Sequence, residues 1–195
     1  MKLYDFAPSH NCYKVRLLLS ILGVSCRREP VDLFGGASHT PEFLALNPRG
    51  QVPVLDDEGE AIWDSTAILV YLARKYGEPD WLPCEPHALA RVTRWLAVAQ
   101  NELLYGLGRA HWLSRGGSGD MEEALRRGRR GLALLDLQLA AGTWLAAPHV
   151  TIADIACYPH ASLAPEAGVA LDDYPNVVRW CRSVEAIPGY VARLA

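Results

Sequence analysis

The tightest constraint on the fold is a strand, a helix and a second strand packed into residues 1–32. Lys2-Leu3-Tyr4-Asp5-Phe6 alternates as a short strand does. Val15, Leu17, Leu18, Leu19, Ile21 and Leu22 then predict a helix that is apolar on most sides and therefore buried. Gly23 is a suitable C-terminal stop, and residues 26–32 read as the next strand, with Val31 its strongest strand former. Two strands joined by one helix make a right-handed βαβ unit with parallel strands. Ser9 and Asn11, both good N-cap types, stand where the helix begins. A helix N-terminus has unpaired N–H groups and roughly half a positive charge, so an anion is stabilised there. The Ser9 hydroxyl and the Cys12 thiol are at that mouth. The local pattern alone favours a simple helix cap by Ser9 or Asn11, with Cys12 a packed first-turn thiol.

Further along, Thr40 and Pro41 open a short helix, Asn47-Pro48-Arg49-Gly50 turns the chain, and residues 51–55 read as a strand. Pro53 lacks the N–H that a central ladder needs, which puts it at a strand start or a bend. After a turn at 56–59, residues 60–63 return as the hairpin partner, and Asp64-Ser65-Thr66 opens a helix ending near Gly77. The predicted order is βαβαββα. Residues 78–86 hold Pro79, Pro83 and Pro86 without any period and read as a linker. Beyond it only helices are expected. A long one covers 88–112, with Leu89, Val92, Leu96, Ala99, Leu103 and Leu107 as its apolar stripe, and another covers 121–141. A helix with a capping box begins at Thr151, where Asp154 takes the place of the usual Glu in a structural rather than catalytic role. Short helices are expected at 175–184 and 188–194. The chain thus divides into an α/β domain, 1–77, the linker 78–86, and an all-helical domain, 87–195.

Composition removes several classes. The 195 residues carry a net charge of -3, and the arginines at 126, 127, 129 and 130 lie near Glu122, Glu123 and Asp136, so a nucleic-acid partner is not expected. No apolar run reaches the length of a membrane span, and the N-terminus has no signal-peptide pattern. The 5 cysteines are widely spaced with no C-x-x-C pair, which argues against a disulfide framework or a zinc site and predicts a reducing, cytoplasmic setting. No metal site is expected.

Three features of the first domain converge if it folds as one sheet. The Ser9 helix mouth suits an anion. The backbone ahead of Pro53, at Gln51 and Val52, can pair with an extended peptide. Asp64 and Ser65 at a second helix start suit an ammonium and a carboxylate. Together they predict a pocket for a short peptide with a free amine, a carboxylate and an anionic centre.

These segments resemble the glutathione S-transferase family, in its bacterial serine/cysteine type. The likeness is carried by Ser9 to Leu17, Asn47 to Leu55, Trp63 to Ile68 and Thr151 to Ala156, four segments in the family's order. It implies a thioredoxin-like domain followed by a helical bundle, a cis bond before Pro53, glutathione as co-substrate, a small hydrophobic electrophile as second substrate, and a homodimer. It also implies that Val52 pairs with the cysteinyl part of glutathione, that Asp64 and Ser65 hold the γ-glutamyl end, and that Asn11, His39 and Gln51 are further contacts. Ser9 matches the serine that donates a hydrogen bond to the thiolate. Cys12 matches the cysteine of members that form a mixed disulfide with glutathione. A transferase is expected from the first, and a disulfide or peroxide reductase, or an isomerase, from the second. Some chains of this architecture serve instead as non-catalytic binding or regulatory proteins. Asn101, Tyr105, Arg109 and Trp112 share one face of the long helix away from the leucines. Tyr105, Arg109 and Trp112 are the expected wall for the electrophile between the domains, although the same spacing suits plain surface residues.

Overall fold

The computed structural model describes residues 1–193. The chain forms two units: Met1–Glu78 joined by the tail from Pro188, and Pro79–Ile187. The first contains β1 (Lys2–Asp5), α1 (His10–Ile21), β2 (Arg27–Pro30), α2 (Pro41–Leu46), β3 (Val54–Asp57), β4 (Glu60–Trp63) and α3 (Ser65–Tyr76), which is the predicted βαβαββα order. The sheet order is β2-β1-β3-β4. β1 and β2 run parallel, whereas β3 is antiparallel to both β1 and β4. This is the thioredoxin-like arrangement.

Period-two alternation sorts the sheet's side chains. Tyr4 and Val54 pack with Val31 and Phe43 in the cluster that includes α2. Leu3 and Leu55, paired across β1 and β3, are fully buried, as are Leu18, Ile68 and Leu72 of α1 and α3. Burying such side chains stabilises a fold by about 1.5–3 kcal/mol each.

Strand limits differ from expectation for identifiable reasons. The third strand begins at Val54 instead of residue 51. The Asn47 side chain donates to the Gln51 carbonyl at 2.7 Å and keeps residues 51–53 out of the ladder. It extends instead to Asp57, so the hairpin closes on Glu58 and Gly59, both with positive φ, as a two-residue turn requires. The second strand is limited to Arg27–Pro30, inside the expected 26–32.

The second unit is helical. α4 (Pro86–Val98) continues into a π-helical stretch, Ala99–Gly108, and then α5 (Arg109–Leu113). α6 (Met121–Leu139), α7 (Ile152–Ala161) and α8 (Pro175–Glu185) follow. The expected 88–112 helix therefore exists but is wider-coiled in its middle, with bonds characteristic of i→i+5 spacing. Val92, Ala99, Leu103 and Leu107 are fully buried, as the stripe predicts. Gly106 meets Gly128 so closely that a Cβ on Gly106 would lie 2.5 Å from the Gly128 Cα. Only hydrogen on both sides permits that backbone approach.

The predicted last helix at 188–194 is not formed over its described part. Tyr13 Oη donates to the Val191 carbonyl at 2.8 Å, tying the tail to α1, and Gly189 has φ 84, outside the right-handed helical region. Leu194 lies outside the described residues.

Asp154 anchors the bundle as the capping box predicts. Its buried carboxylate accepts from Leu145 N at 3.1 Å, Thr151 N at 3.0 Å, Thr151 Oγ1 at 3.3 Å and Trp180 Nε1 at 2.9 Å. Burial pushes its pKa up to about 6, against these four donors. A carboxyl group raised in the folded state binds protons more readily than the unfolded chain, whose value is near 3.9. Its contribution is therefore complete below about pH 4 and is lost as pH rises to about 6. Denaturant midpoints should fall over that window. Asp154→Asn should remove this slope and destabilise by about 2–4 kcal/mol, because an amide nitrogen would face N–H donors. Urea titrations at several pH values measure both effects.

Candidate functional site

Ser9 is the N-cap of α1, with extended backbone at φ -71 and ψ 123. Its Oγ accepts from the Cys12 N–H at 3.2 Å, its own N–H donates to the Phe6 carbonyl at 2.9 Å, and its carbonyl accepts from Tyr13 N at 2.9 Å. Of the two cap candidates it is thus Ser9 that caps. Because the oxygen acts there as acceptor, the cap does not use the hydroxyl proton. The turn is pinned from below: Arg16 pairs with buried Asp5 through Nη1 and donates through Nη2 to the Ala7 carbonyl at 2.9 Å. Arg28 Nε donates to the other Asp5 oxygen at 2.7 Å.

Cys12 lies one turn inside and has no exposed surface. Phe6 N–H donates to its Sγ at 3.5 Å. Burial pushes the thiol up to about 12, and the hydrogen bonds from Ser9 and the Phe6 backbone reduce this only in part. At neutral pH Cys12 is therefore a neutral thiol, whereas the nucleophilic form of a cysteine is the thiolate.

Beside this mouth is a small polar pocket lined by Asn11, Asn47, Arg49, Gln51, Val52, Pro53, Trp63, Asp64 and Ser65. The Val52–Pro53 bond is cis. The β3 ladder to β1 begins with Val54 opposite Tyr4, so Val52 stands ahead of it. Asp64, the N-cap of α3, holds an uncommon backbone conformation for a residue with a side chain, φ 75 and ψ 125. Such a conformation costs on the order of 1–3 kcal/mol and is kept only where the surroundings enforce it. Here Oδ1 accepts from Thr66 N at 2.8 Å and Ala67 N at 3.3 Å, while Oδ2 faces Arg49 Nη1 at 3.5 Å. Ser65 is buried, and neither its Oγ nor the Asn11 Oδ1 has a hydrogen-bond partner among the described residues. Buried polar atoms left in this way call for a specific explanation.

The structure thus brings together Asn11, Gln51, Val52, Pro53, Asp64 and Ser65 in one pocket, with Ser9 at the adjoining helix start. His39 is exposed and outside that lining. Its Nδ1 lies 3.1 Å from Ser38 Oγ, and its Nε2 stands 3.0 Å from where a Gly50 Cβ would be. Gly50 has φ 59, so both conformation and space require glycine. Sequence reasoning missed Asn47, Arg49 and Trp63 as lining residues. The only available signal was the Asn-Pro-x-Gly turn, which placed the first two in a loop without saying which way they face.

Tyr105, Arg109 and Trp112 belong to the second unit. All three are exposed, Tyr105 by 54% and Trp112 by 47%. The Arg109 guanidinium stacks over the Trp112 ring at 4.3 Å and donates to the Ser118 carbonyl at 2.6 Å. Gly117 lies against the same ring, where a Cβ would come within 2.1 Å of it. Arg109 and Trp112 therefore hold the 114–119 loop, and Tyr105 stays open in a shallow groove with Asp120, Glu123 and Arg127. Among the described residues no cluster suits a metal ion, and no helix is long and apolar enough to cross a membrane.

A thioredoxin-like unit with a serine at its first helix mouth, joined to a helical bundle, defines a class that comparison with known proteins makes specific. The glutathione S-transferase N-terminal domain matches residues 3–80, and the C-terminal domain of the same family matches 112–183. Maleylacetoacetate isomerase from Pseudomonas aeruginosa is 31% identical over 97% of this chain and 93% of its own length. Glutathione S-transferase D7 from Drosophila melanogaster is 29% identical over 100% and 88%. Among solved structures, a glutathione S-transferase from Pseudomonas fluorescens superposes with a TM-score of 0.92 at 34% identity, covering 100% of this chain and 98% of that one. Ure2p in complex with glutathione does so with a TM-score of 0.88 at 25% identity, covering 96% and 90%. The chain belongs to the glutathione S-transferase family of enzymes, which use glutathione as co-substrate.

The environments of the thiols predict their reactivity. Iodoacetamide at pH 8 should label exposed Cys84 within minutes and leave Cys12 unmodified in the folded protein. Peptide mass mapping checks this, and rapid modification of Cys12 would contradict its burial.

Proposed function

We propose that this enzyme binds glutathione in the pocket of the first unit and uses its thiolate to attack a small hydrophobic electrophile. The observation that carries the reading is the contrast at one helix turn: Ser9 offers a hydroxyl at the N-terminus of α1, whereas the Cys12 thiol is buried and held up to about 12. In this reading Val52 pairs with the cysteinyl backbone. Asp64 and the unpartnered Ser65 hydroxyl meet the γ-glutamyl end, Asn11 and Gln51 give further contacts, and His39 stands beyond the pocket toward the glycine end.

The chemistry follows from charge. A free thiol has a pKa near 8.5, and each unit of lowering corresponds to about 1.4 kcal/mol. A hydrogen bond to a charged group contributes about 1.5–3 kcal/mol, and the helix N-terminus adds to it. Ser9 keeps its proton and donates a hydrogen bond to the sulfur, and the thiol proton leaves to solvent. The thiolate then forms a carbon–sulfur bond as the leaving group departs with the bonding pair. The same thiolate can add to a conjugated double bond, permit rotation, and leave again unchanged. The 31% identity to an isomerase supports this second use of one site. Disulfide reduction through Cys12 is disfavoured by its burial.

For the electrophile, Tyr105 is the open side chain, while Arg109 and Trp112 shape the wall by holding their loop. A homodimer is part of the reading, and the apolar groove of Trp95, Val98, Leu134 and Leu137 is surface it would cover.

Conjugation of glutathione to chlorodinitrobenzene tests the assignment. Ser9→Ala should lower kcat/KM by about 10- to 100-fold, the loss expected for one hydrogen bond to a charged group. It should also move the pH of half-maximal rate upward. Cys12→Ala should stay within about threefold of the parent, since it removes no reacting atom. The reverse pattern would overturn the assignment in favour of Cys12.

A further inference from the structure

The segment after the last helix returns to the first unit and lies along α1. Residues from Pro188 onward belong to that unit, although the helices before them belong to the second. Two contacts fix this tail. Tyr13 Oη, on a side chain only 2% exposed, donates to the Val191 carbonyl at 2.8 Å. About two turns further along α1, a Cβ on Gly189 would lie 2.8 Å from the Ser20 carbonyl oxygen and 3.0 Å from the Ile21 Cα. Its φ of 84 also calls for glycine. From Tyr13 the contacts continue toward the site. The Arg16 guanidinium stands over the Tyr13 ring, 5.8 Å from its centroid. The same guanidinium pairs with Asp5 and donates to the Ala7 carbonyl at 2.9 Å. Tyr13 N–H donates to the Ser9 carbonyl at 2.9 Å. One residue of α1 thus touches the tail, the arginine and the serine.

We infer that the tail is a strap that helps to position the Ser9 hydroxyl, with Tyr13 as the positioning residue that carries its effect. This rests on the reading of Ser9 as hydrogen-bond donor to the glutathione sulfur. The Ala7 carbonyl, two residues before Ser9, is held by Arg16. Asp5 holds the edge of that guanidinium, and the Tyr13 ring covers one face of it. The ring is anchored in turn by its hydroxyl, whose acceptor comes from the tail rather than from α1 or the sheet. A buried tyrosine hydroxyl without an acceptor is costly, so the ring turns if the tail leaves. Arg16 then loses its backing, and the turn before Ser9 gains freedom. A hydrogen bond weakens steeply with misalignment, so a small rotation of the Ser9 hydroxyl loosens its hold on the thiolate.

Conjugation kinetics on the full chain, with glutathione and chlorodinitrobenzene, test the strap through two variants that reach it from opposite ends. Tyr13→Phe keeps the ring and removes only its bond to the tail. Gly189→Ala pushes the tail off α1 with a methyl group that meets main chain, and leaves Tyr13 intact. Each should lower kcat/KM by about three- to tenfold, the loss expected for one neutral hydrogen bond. Each should also move the pH of half-maximal rate upward, because a looser Ser9 leaves the bound thiol harder to ionise. The double variant should fall no more than about twofold below the lower single variant, since both break one connection. A lower rate with the pH of half-maximal rate unmoved would make the tail ordinary packing and overturn the strap. An unchanged rate in either variant, or losses that add in full, would overturn it too. If Ser9→Ala itself leaves the pH profile unmoved, the Ser9 reading fails and the strap falls with it. If Ser9→Ala shifts the profile and the two variants do not, the strap alone is lost.

Discussion

Two guanidinium groups closing on one buried carboxylate hold the turn on which the site depends. Asp5 ends β1, Arg16 comes from α1 and Arg28 from β2, so the three groups join every element of the opening βαβ unit. A buried carboxylate stripped of its partners costs several kcal/mol, which commits all three to one geometry. Arg16 also takes the Ala7 carbonyl, and this fixes the residues between strand and helix that present Ser9. The position of a single hydroxyl thus follows from an ion pair beneath it.

The same turn shows how environment assigns chemistry. Ser9 and Cys12 share a hydrogen bond, and by intrinsic reactivity the thiol is the stronger nucleophile. The fold reverses that order by directing Cys12 into the core and leaving Ser9 at the surface of the helix mouth. In the reading proposed above, the Cys12 sulfur is kept inert and the reacting sulfur is brought by glutathione.

Much of this was legible in the residues, because local signals and tertiary structure agree. Alternation in β1, the caps at Ser9, Thr40, Asp64 and Thr151, and Pro53 ahead of its strand all have short-range causes. What escaped depends on contacts distant in sequence or on side-chain direction. The Asn47 bond that delays β3 depends on which way a side chain turns, while the glycine contact between Gly106 and Gly128 and the Tyr13 bond that leaves the tail irregular are fixed by partners far along the chain. Helical spacing put Tyr105, Arg109 and Trp112 on a face away from the leucines, yet could not show that Arg109 is occupied by the 114–119 loop. The burial of Cys12 was likewise invisible, since a first-turn residue can face either way.

The most direct test of this account is a crystal structure of the complex with glutathione. The account predicts the glutathione sulfur at hydrogen-bond distance from Ser9 Oγ, about 3.2 Å for a sulfur acceptor, with no density linking it to Cys12. A sulfur lying away from the start of α1, or one bonded to the Cys12 sulfur, would contradict it.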